Sequence, residues 1–447
     1  MNNSTTRTPL LFLVTFYSVL LLTGPVHATD LVEAFNLALE SDPEYRRVAA
    51  ANRAVLEQRP QAIAQLLPAV QATGNSYYND QDISSAFIPV GEGGGVKFNS
   101  HGYSLNLSQP LFRFDRFVRL LQANSRIRQA EAEYAAAEQD LMVRLSQRYY
   151  FVLANQDNLA FAEAEEKSLA RQLDQAKQRF DVGLTAITDV QEAQAGYDRA
   201  VAQRIAAANG IDNAREALRE IIGVYLESQG ALSEDMPFVE PEPADLDQWT
   251  ETALAQNLQI TAATEAVNTA RQEIKVQNSG HLPTLDAVAR YGYDKTGGRF
   301  GATKIHSDVV GLELNVPLFS GGFVSSRARE AHARLDESLE RLETSRRLAQ
   351  RQTRESYLGV ISGISQIHAF KQALISSETA LRATEAGFEV GTRTAVDVIA
   401  AERVLSQSRR DYARAKYEYI QNSLLLKQAA GTLSPEDLAR LNQWLAY

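Results

Sequence analysis

Cysteine is absent from the chain. That excludes a disulfide framework, a thiol nucleophile, a cysteine-ligated metal and a lipid carried on an N-terminal cysteine. Histidine is scarce. Of the six, His27 lies in the N-terminal segment, and His101, His281 and His306 show no metal-ligand spacing. Glycine clusters occur at Gly91–Gly95 and Gly297-Gly298, but neither leads into Gly-Lys-Ser/Thr, so a phosphate-binding loop is unsupported. Carboxylates are plentiful yet form no paired constellation beyond two glycine-centred stretches, so an enzyme ranks lowest and no cofactor is expected. Excess positive charge is also missing: the net charge is −10, which argues against nucleic acid as a partner.

Long apolar runs are lacking after the N-terminus. The segment Met1–Thr8 is weakly basic, Leu10–Leu22 is apolar, and Val26-His27-Ala28 follows. This is the layout of a secretory signal peptide over residues 1–28. Its apolar run is short of the ~20 residues that span a bilayer as a helix. No later stretch approaches that length without charges, so a membrane location requires strands. Proline is missing from two long intervals, Pro110 to Pro237 and Pro317 to Pro435. Both are rich in Ala, Gln, Glu, Arg and Leu, good helix formers. A continuous helix from Leu111 to Phe180 would reach ~105 Å, far beyond the ~11–12 residues of an average helix.

Two related stretches interrupt these intervals. Arg179-Phe-Asp-Val-Gly183-Leu-Thr-Ala-Ile-Thr-Asp189-Val190 is echoed, 208 positions later, by Gly387-Phe-Glu-Val-Gly391-Thr-Arg-Thr-Ala-Val-Asp397-Val398. In each, a glycine stops a helical run, since glycine accepts positive φ. A second run then leaves from an Ala-x-x-Asp or Thr-x-x-Asp start. Each stretch reads as the tip of a helical hairpin (181–189 and 389–397), with a carboxylate on the first turn of the returning helix. Singly, each is a plain turn, and Asp189 or Asp397 a carboxylate favoured by the helix dipole. The matched pair points to a shared working end.

The duplication extends further. Leu67-Pro68 answers Leu282-Pro283, Pro110-Leu-Phe112 answers Pro317-Leu-Phe319, and Gly223 answers Gly431. We therefore divide the chain into a first repeat (29–230), a linker with Pro237, Pro241 and Pro243 (231–244), a second repeat (245–433) and a short C-terminal helix (434–447) that runs to about Leu445. Each repeat opens with helices, roughly Pro43 to Gln65 and Leu258 to Ser279. Strand candidates follow, placing hairpins at about 69–110 and 283–317. Tyr103, Leu105 and Leu107 alternate with Ser104, Asn106 and Ser108; Val310, Leu312 and Leu314 alternate with Gly311 and Glu313. Such alternation with tyrosines near the ends fits a tilted membrane strand or a soluble hairpin with one wet face. The helical intervals carry heptads. Val398, Leu405, Tyr412, Tyr419 and Leu426 recur every seven, with smaller residues at Ala401, Ser408 and Ala415. Val190, Tyr197, Arg204, Ile211 and Leu218 with Ala193, Ala200, Ala207 and Ala214 repeat the pattern in the first half. Seven-residue periodicity means helices packed side by side. Four membrane strands cannot close alone, because open edges in lipid leave backbone groups unpaired. Two copies would give eight strands and three would give twelve.

The paired tips, Gly280-His-Leu-Pro-Thr-Leu-Asp286, the Pro-Leu-Phe after each hairpin and Ala430-Gly-Thr-Leu433 resemble those of the TolC family of outer-membrane exit ducts, over nearly all of the chain after the signal segment. The resemblance implies a mainly α fold with a membrane β-barrel: a homotrimer whose 12-stranded β-barrel continues into a periplasmic α-helical barrel. It implies an outer-membrane channel for efflux or type I protein secretion, with a periplasmic adaptor, an inner-membrane ABC or RND-type transporter, exported proteins or small toxic compounds as cargo, and outer-membrane lipid as partners. By position, Thr188, Asp189, Phe388 and Arg393 fall at the periplasmic gate beside Gly183 and Gly391, with Asp189 meeting Arg393 across or within protomers. Asp397 would form an acidic ring at the entrance. Arg179, Val182, Gly183, Leu184, Val390, Gly391 and Thr392 would face the adaptor. Two positions depart from the family pattern: Phe388 stands where a tyrosine partners the closing aspartate, and Ala400 where a second acidic ring stands. The rival from another class is an envelope-spanning coiled-coil fibre or adhesin, which accounts for the heptads and the signal but not for the strands or the twin tips.

Overall fold

The computed structural model describes residues 30–82, 95–226, 230–233, 235–298 and 301–446. The signal segment and most of the Gly91–Gly95 cluster lie outside them. The first repeat starts with α1 (Leu31–Ser41), α2 (Pro43–Leu56) and α3 (Gln58–Ala64). Asp30 and Asp42 cap α1 and α2 with their carboxylates, and Pro43 occupies the first turn, where its missing N–H costs nothing. The single helix expected from Pro43 to Gln65 is therefore two, divided at Glu57. Strands β1 (Ala69–Asp82) and β2 (Gly95–Phe112) follow, then α4 (Phe114–Asp181) and α5 (Ile187–Ile222). A two-residue strand, β3 (Ala231–Leu232), leads to the second repeat: α6 (Leu246–Gln256), α7 (Leu258–Asn278), β4 (Thr284–Thr296), β5 (Thr303–Asn315), α8 (Phe323–Glu389) and α9 (Ala395–Ala430). The chain ends in α10 (Pro435–Asn442) and β6 (Leu445–Ala446). The final helix thus stops short of Leu445, because that residue pairs with Leu232 of β3 and draws the linker and the C-terminus together.

The two repeats match in dimension. α4 and α8 have 68 and 67 residues, ~100 Å each at 1.5 Å per residue. α5 and α9 have 36 residues each and cover only the half nearer the tips. The other half of α4 is covered by α7: Gln122 Nε2 donates to Glu273 at 2.8 Å and Arg128 to Glu265 at 2.8 Å. On the tip side, Arg204 of α5 meets Glu166 at 2.6 Å. α4 therefore changes partner along its length, and a different face is buried in each half. The heptad rows are the seams. Val190, Ala193, Ala200, Ala207, Ile211, Ala214 and Leu218 are buried on α5, and Val398, Leu405, Ala415, Tyr419 and Leu426 on α9. The largest core lies between the two ends, where α1, α10 and the β3–β6 ribbon pack on the long helices around Leu31, Leu145, Tyr149, Ile420 and Leu438.

The four long strands form one antiparallel sheet in the order β1-β2-β4-β5. The two hairpins are joined by β2–β4 pairing, with Leu105 opposite Tyr291 and Leu107 opposite Ala289. The register gives the sheet two unlike faces. Val70, Ala72, Leu105, Leu107, Ala289, Val310 and Leu312 share one; Gln71, Thr73, Ser104, Asn106, Arg290 and Glu313 share the other. On the polar face, the Thr73 and Ser104 hydroxyls lie 2.7 Å apart, and Arg290 Nε donates to Asn106 at 2.8 Å. On the apolar face, Tyr103 packs against Tyr293 with ring centroids 5.3 Å apart. At the opposite, helix-proximal end, Leu318 and Phe319 are 92% and 89% exposed. β1 and β5 are the sheet's edges, each with one side unpaired. Among the described residues no helix is long and apolar enough to cross a membrane.

Candidate gate at the paired helix tips

Both tips are built by the same local chemistry. Gly183 takes φ +74° and Gly391 φ +81°. At the first tip, the Gly183 N–H donates to the Phe180 carbonyl at 2.9 Å and the Leu184 N–H to the Arg179 carbonyl at 2.8 Å. At the second, the Gly391 N–H donates to Phe388 at 3.1 Å and the Thr392 N–H to Gly387 at 2.8 Å. These bonds close the last carbonyls of α4 and α8, and they require a left-handed residue, hence glycine.

The returning helices start differently. Thr394 and Asp397 form a reciprocal capping box: the Thr394 N–H donates to the Asp397 carboxylate at 2.9 Å, and the Asp397 N–H to the Thr394 hydroxyl at 3.3 Å. The Thr394 backbone N–H, and then its hydroxyl, hold the Asp397 carboxyl below the ordinary range, with Arg393 adding a smaller effect. Alanine at 186 cannot cap, so the first tip uses its neighbour: the Thr185 hydroxyl donates to the Asp189 carboxylate. Within one chain the Asp189 carboxylate thus meets Thr185, and no ion pair joins it to Arg393 among the described residues. The Arg393 side chain crosses Gly387 instead; a Cβ there would lie 2.8 Å from Arg393 Cγ.

What brings the tips together is Arg179. Its guanidinium lies 4.6 Å from the centroid of the Phe388 ring. Its two terminal nitrogens donate to the Phe388 carbonyl at 3.2 Å and the Glu389 carbonyl at 3.3 Å. Within this chain Arg179 faces the second tip. Val182, Leu184 and Val390 are 69%, 73% and 76% exposed, and Gly183, Thr188, Gly391, Thr392 and Arg393 are exposed with them. Ile399 of α9 lies against Gly196 of α5, 3.5 Å from where a Cβ would stand, so a glycine lets the two hairpins approach.

Farther from the tips, charged groups are buried between the hairpins. Glu165 of α4 and Glu402 of α9 are 6% and 4% exposed. Arg410 approaches Glu165 Oε2 at 3.5 Å, and neither that oxygen nor Glu402 Oε2 has a hydrogen-bond partner. Burial pushes the Glu402 carboxyl above its ordinary range; the Ser168 hydroxyl and Arg409 oppose this, while Glu385 and Glu165 add to it. The Tyr417 hydroxyl donates to Asp157 across the same seam at 2.7 Å. A signal for Glu402 was present in the sequence: it stands four after Val398 and three before Leu405, on the face that both bury.

The sequence profile for "Outer membrane efflux protein" matches residues 34–224 and again 249–432, one match per repeat. The chain belongs to the outer membrane efflux protein family. As such it is an outer-membrane channel protein. It is 35% identical over 428 residues to Outer membrane protein TolC of Vibrio cholerae, covering 95% of each chain. It is 30% identical over 425 residues to Proteases secretion protein PrtF of Dickeya chrysanthemi, covering 94% of this chain and 92% of PrtF. Its fold matches the crystal structure of the Campylobacter jejuni CmeC outer membrane channel with a TM-score of 0.77 at 16% identity, covering 93% of this chain and 89% of CmeC. Members of this family are channels, and efflux and type I secretion are the two roles in which its homologues act.

Proposed function

We propose that this efflux-family channel works as a passive homotrimeric exit duct that is closed at its glycine tips and opened there by partners. The observation that carries this reading is the sheet: one face apolar, one polar, and both edges open. Open edges in lipid cost several kcal/mol per unpaired backbone group. Pairing β1 of one copy with β5 of the next removes both edges. Three copies give twelve strands, enough for a lumen lined by the polar face. The same three copies put six long helical hairpins below the barrel.

The exposed apolar side chains Val182, Leu184 and Val390 fit docking by a periplasmic adaptor protein, with Gly183, Gly391, Thr392 and Arg179 around them. An inner-membrane transporter of the ABC or RND type supplies the energy, and the cargo is an exported protein or a small toxic compound. Asp189 of one protomer and Arg393 of the next form an ionic latch, and three copies of Asp397 form an acidic ring that attracts cations at the entrance. The test is planar-bilayer recording of the purified protein together with its mass in detergent. Discrete channels from a trimer support the duct. A trimer without conductance would instead favour a fibre.

A further inference from the structure

We propose that Arg179 is the latch that ties the two hairpins of one protomer together, with the Phe388 ring and the last carbonyls of α8 as its seat. The proposal rests on the tips being the gate, and adds to it a residue and a mode of closure. The last turn of a helix leaves carbonyls without intrahelical partners and carries partial negative charge. Arg179 reaches two of them, on consecutive residues, at 3.2 and 3.3 Å, and lays its plane over the ring at 4.6 Å. Only a planar fork does both; an ammonium is a point charge. Phe388 has no hydroxyl, yet its ring face attracts a cation.

The clasp is also wired into both turns. The Arg179 carbonyl accepts the Leu184 N–H, so the side chain is aimed only when the first glycine turn is formed. The Phe388 carbonyl accepts the Gly391 N–H as well as the guanidinium, so the second turn shares its atoms with the clasp. A partner that reshapes either turn therefore loosens the hold between hairpins. The clasp contains no carboxylate, which separates it from any latch made with one.

The test uses the full-length trimer. Arg179→Ala is expected to shift the closed-to-open equilibrium roughly two- to five-fold towards open per clasp, read as raised mean conductance. Arg179→Lys keeps a cation over the ring but loses the fork, and is expected to fall between. Phe388→Leu is expected to resemble Arg179→Ala, and the double variant to add little to either. Because the chain has no cysteine, spin labels at Gln178→Cys and Ala383→Cys report the hairpin separation directly; Arg179→Ala is expected to lengthen and broaden it. An unchanged distance distribution, or additive effects of the two substitutions on conductance, would overturn the clasp. A wild-type protein that gives no channels would overturn the duct instead, and the label distances would still decide whether the clasp holds.

Discussion

Four glycines end the four longest helices, and they are not equivalent. Gly183, Gly223, Gly391 and Gly431 take φ of +74°, +77°, +81° and +75°. Alanine at each pays the same backbone penalty, about 1–2 kcal/mol for a left-handed residue with a Cβ. What differs is the space. A Cβ on Gly183 or Gly391 meets nothing within 4 Å, whereas one on Gly223 stands 3.3 Å from Ser41 Cβ. On Gly431 it would lie 2.3 Å from the Gln256 carbonyl oxygen and 3.0 Å from Asn257 Cα, both backbone atoms at the α6–α7 junction. That junction is held by the Asn257 side chain, whose amide donates to the Ala429 carbonyl at 2.9 Å, so it cannot simply retreat. Overpacking of this kind adds about 1–3 kcal/mol. Gly431→Ala should therefore cost about 2–5 kcal/mol, Gly391→Ala and Gly183→Ala about 1–2 kcal/mol, and Gly223→Ala an intermediate amount. The assay is the apparent unfolding temperature of the purified protein in detergent, followed by helical circular dichroism at one scan rate. The same variants should separate by function in reverse: the tip substitutions reduce adaptor capture while stability is nearly kept. Equal unfolding temperatures for Gly431→Ala and Gly391→Ala would refute the packing argument.

Three other outcomes follow from the gate. Asp189→Ala combined with Arg393→Ala should raise single-channel conductance; an exposed ion pair contributes only ~0–1 kcal/mol, so the effect depends on three symmetric copies, and unchanged conductance would remove this latch. Asp397→Asn should weaken block of the channel by multivalent cations, and equal block would place the acidic ring elsewhere. Glu402 gives a pH dependence with a definite sign. Its carboxyl lies above the ordinary range because burial disfavours the charge, with Glu165 from α4 and Glu385 from α8 adding repulsion and Ser168 from α4 and Arg409 from α9 opposing. The packed seam therefore holds the proton more tightly than the loosened one. Its stability is full below the ordinary glutamate value and is lost as pH rises through the raised one. Conductance stepped from acid to neutral pH should rise, and Glu402→Gln should flatten the rise. The Asp397 capping box has the opposite sign: it weakens only as pH falls through that group's lowered value.

The arrangement also bears on how opening spreads. Glu402 and Glu165 belong to different hairpins, as do Tyr417 and Asp157, and as do Arg179 and Phe388. All three contacts lie between hairpins rather than within one. The seams within each hairpin have apolar heptad rows, such as Leu381 with Val398 and Leu405, and their charged groups are paired, Arg204 with Glu166 and Arg409 with Glu378. Hairpins are thus built to stay intact while the joint between them changes. Buried polar groups are costly unless satisfied, so the joint between hairpins, where Glu165 and Glu402 each keep a carboxylate oxygen without a hydrogen bond, is the weaker of the two kinds.

By itself the sequence determined what depends on near neighbours along the chain. Proline-free intervals and heptads set the long helices, because helical periodicity repeats every few residues. Alternation set the strands, and the Thr394-x-x-Asp397 spacing set a helix start with a carboxylate on its first turn. The duplicated glycines set two tips, since only a left-handed position ends a helix that way. Only the tertiary structure decided which elements meet. The β2–β4 pairing that joins the two hairpins into one sheet, the β3–β6 ribbon that ties the linker to the C-terminus, and the division of the Pro43–Gln65 run at Glu57 leave no periodic trace. Nor does Arg179: an arginine in the last turn of a helix reads as a favourable charge there, and that its guanidinium ends on the other hairpin's last carbonyls, 209 residues away, is a fact of packing in space.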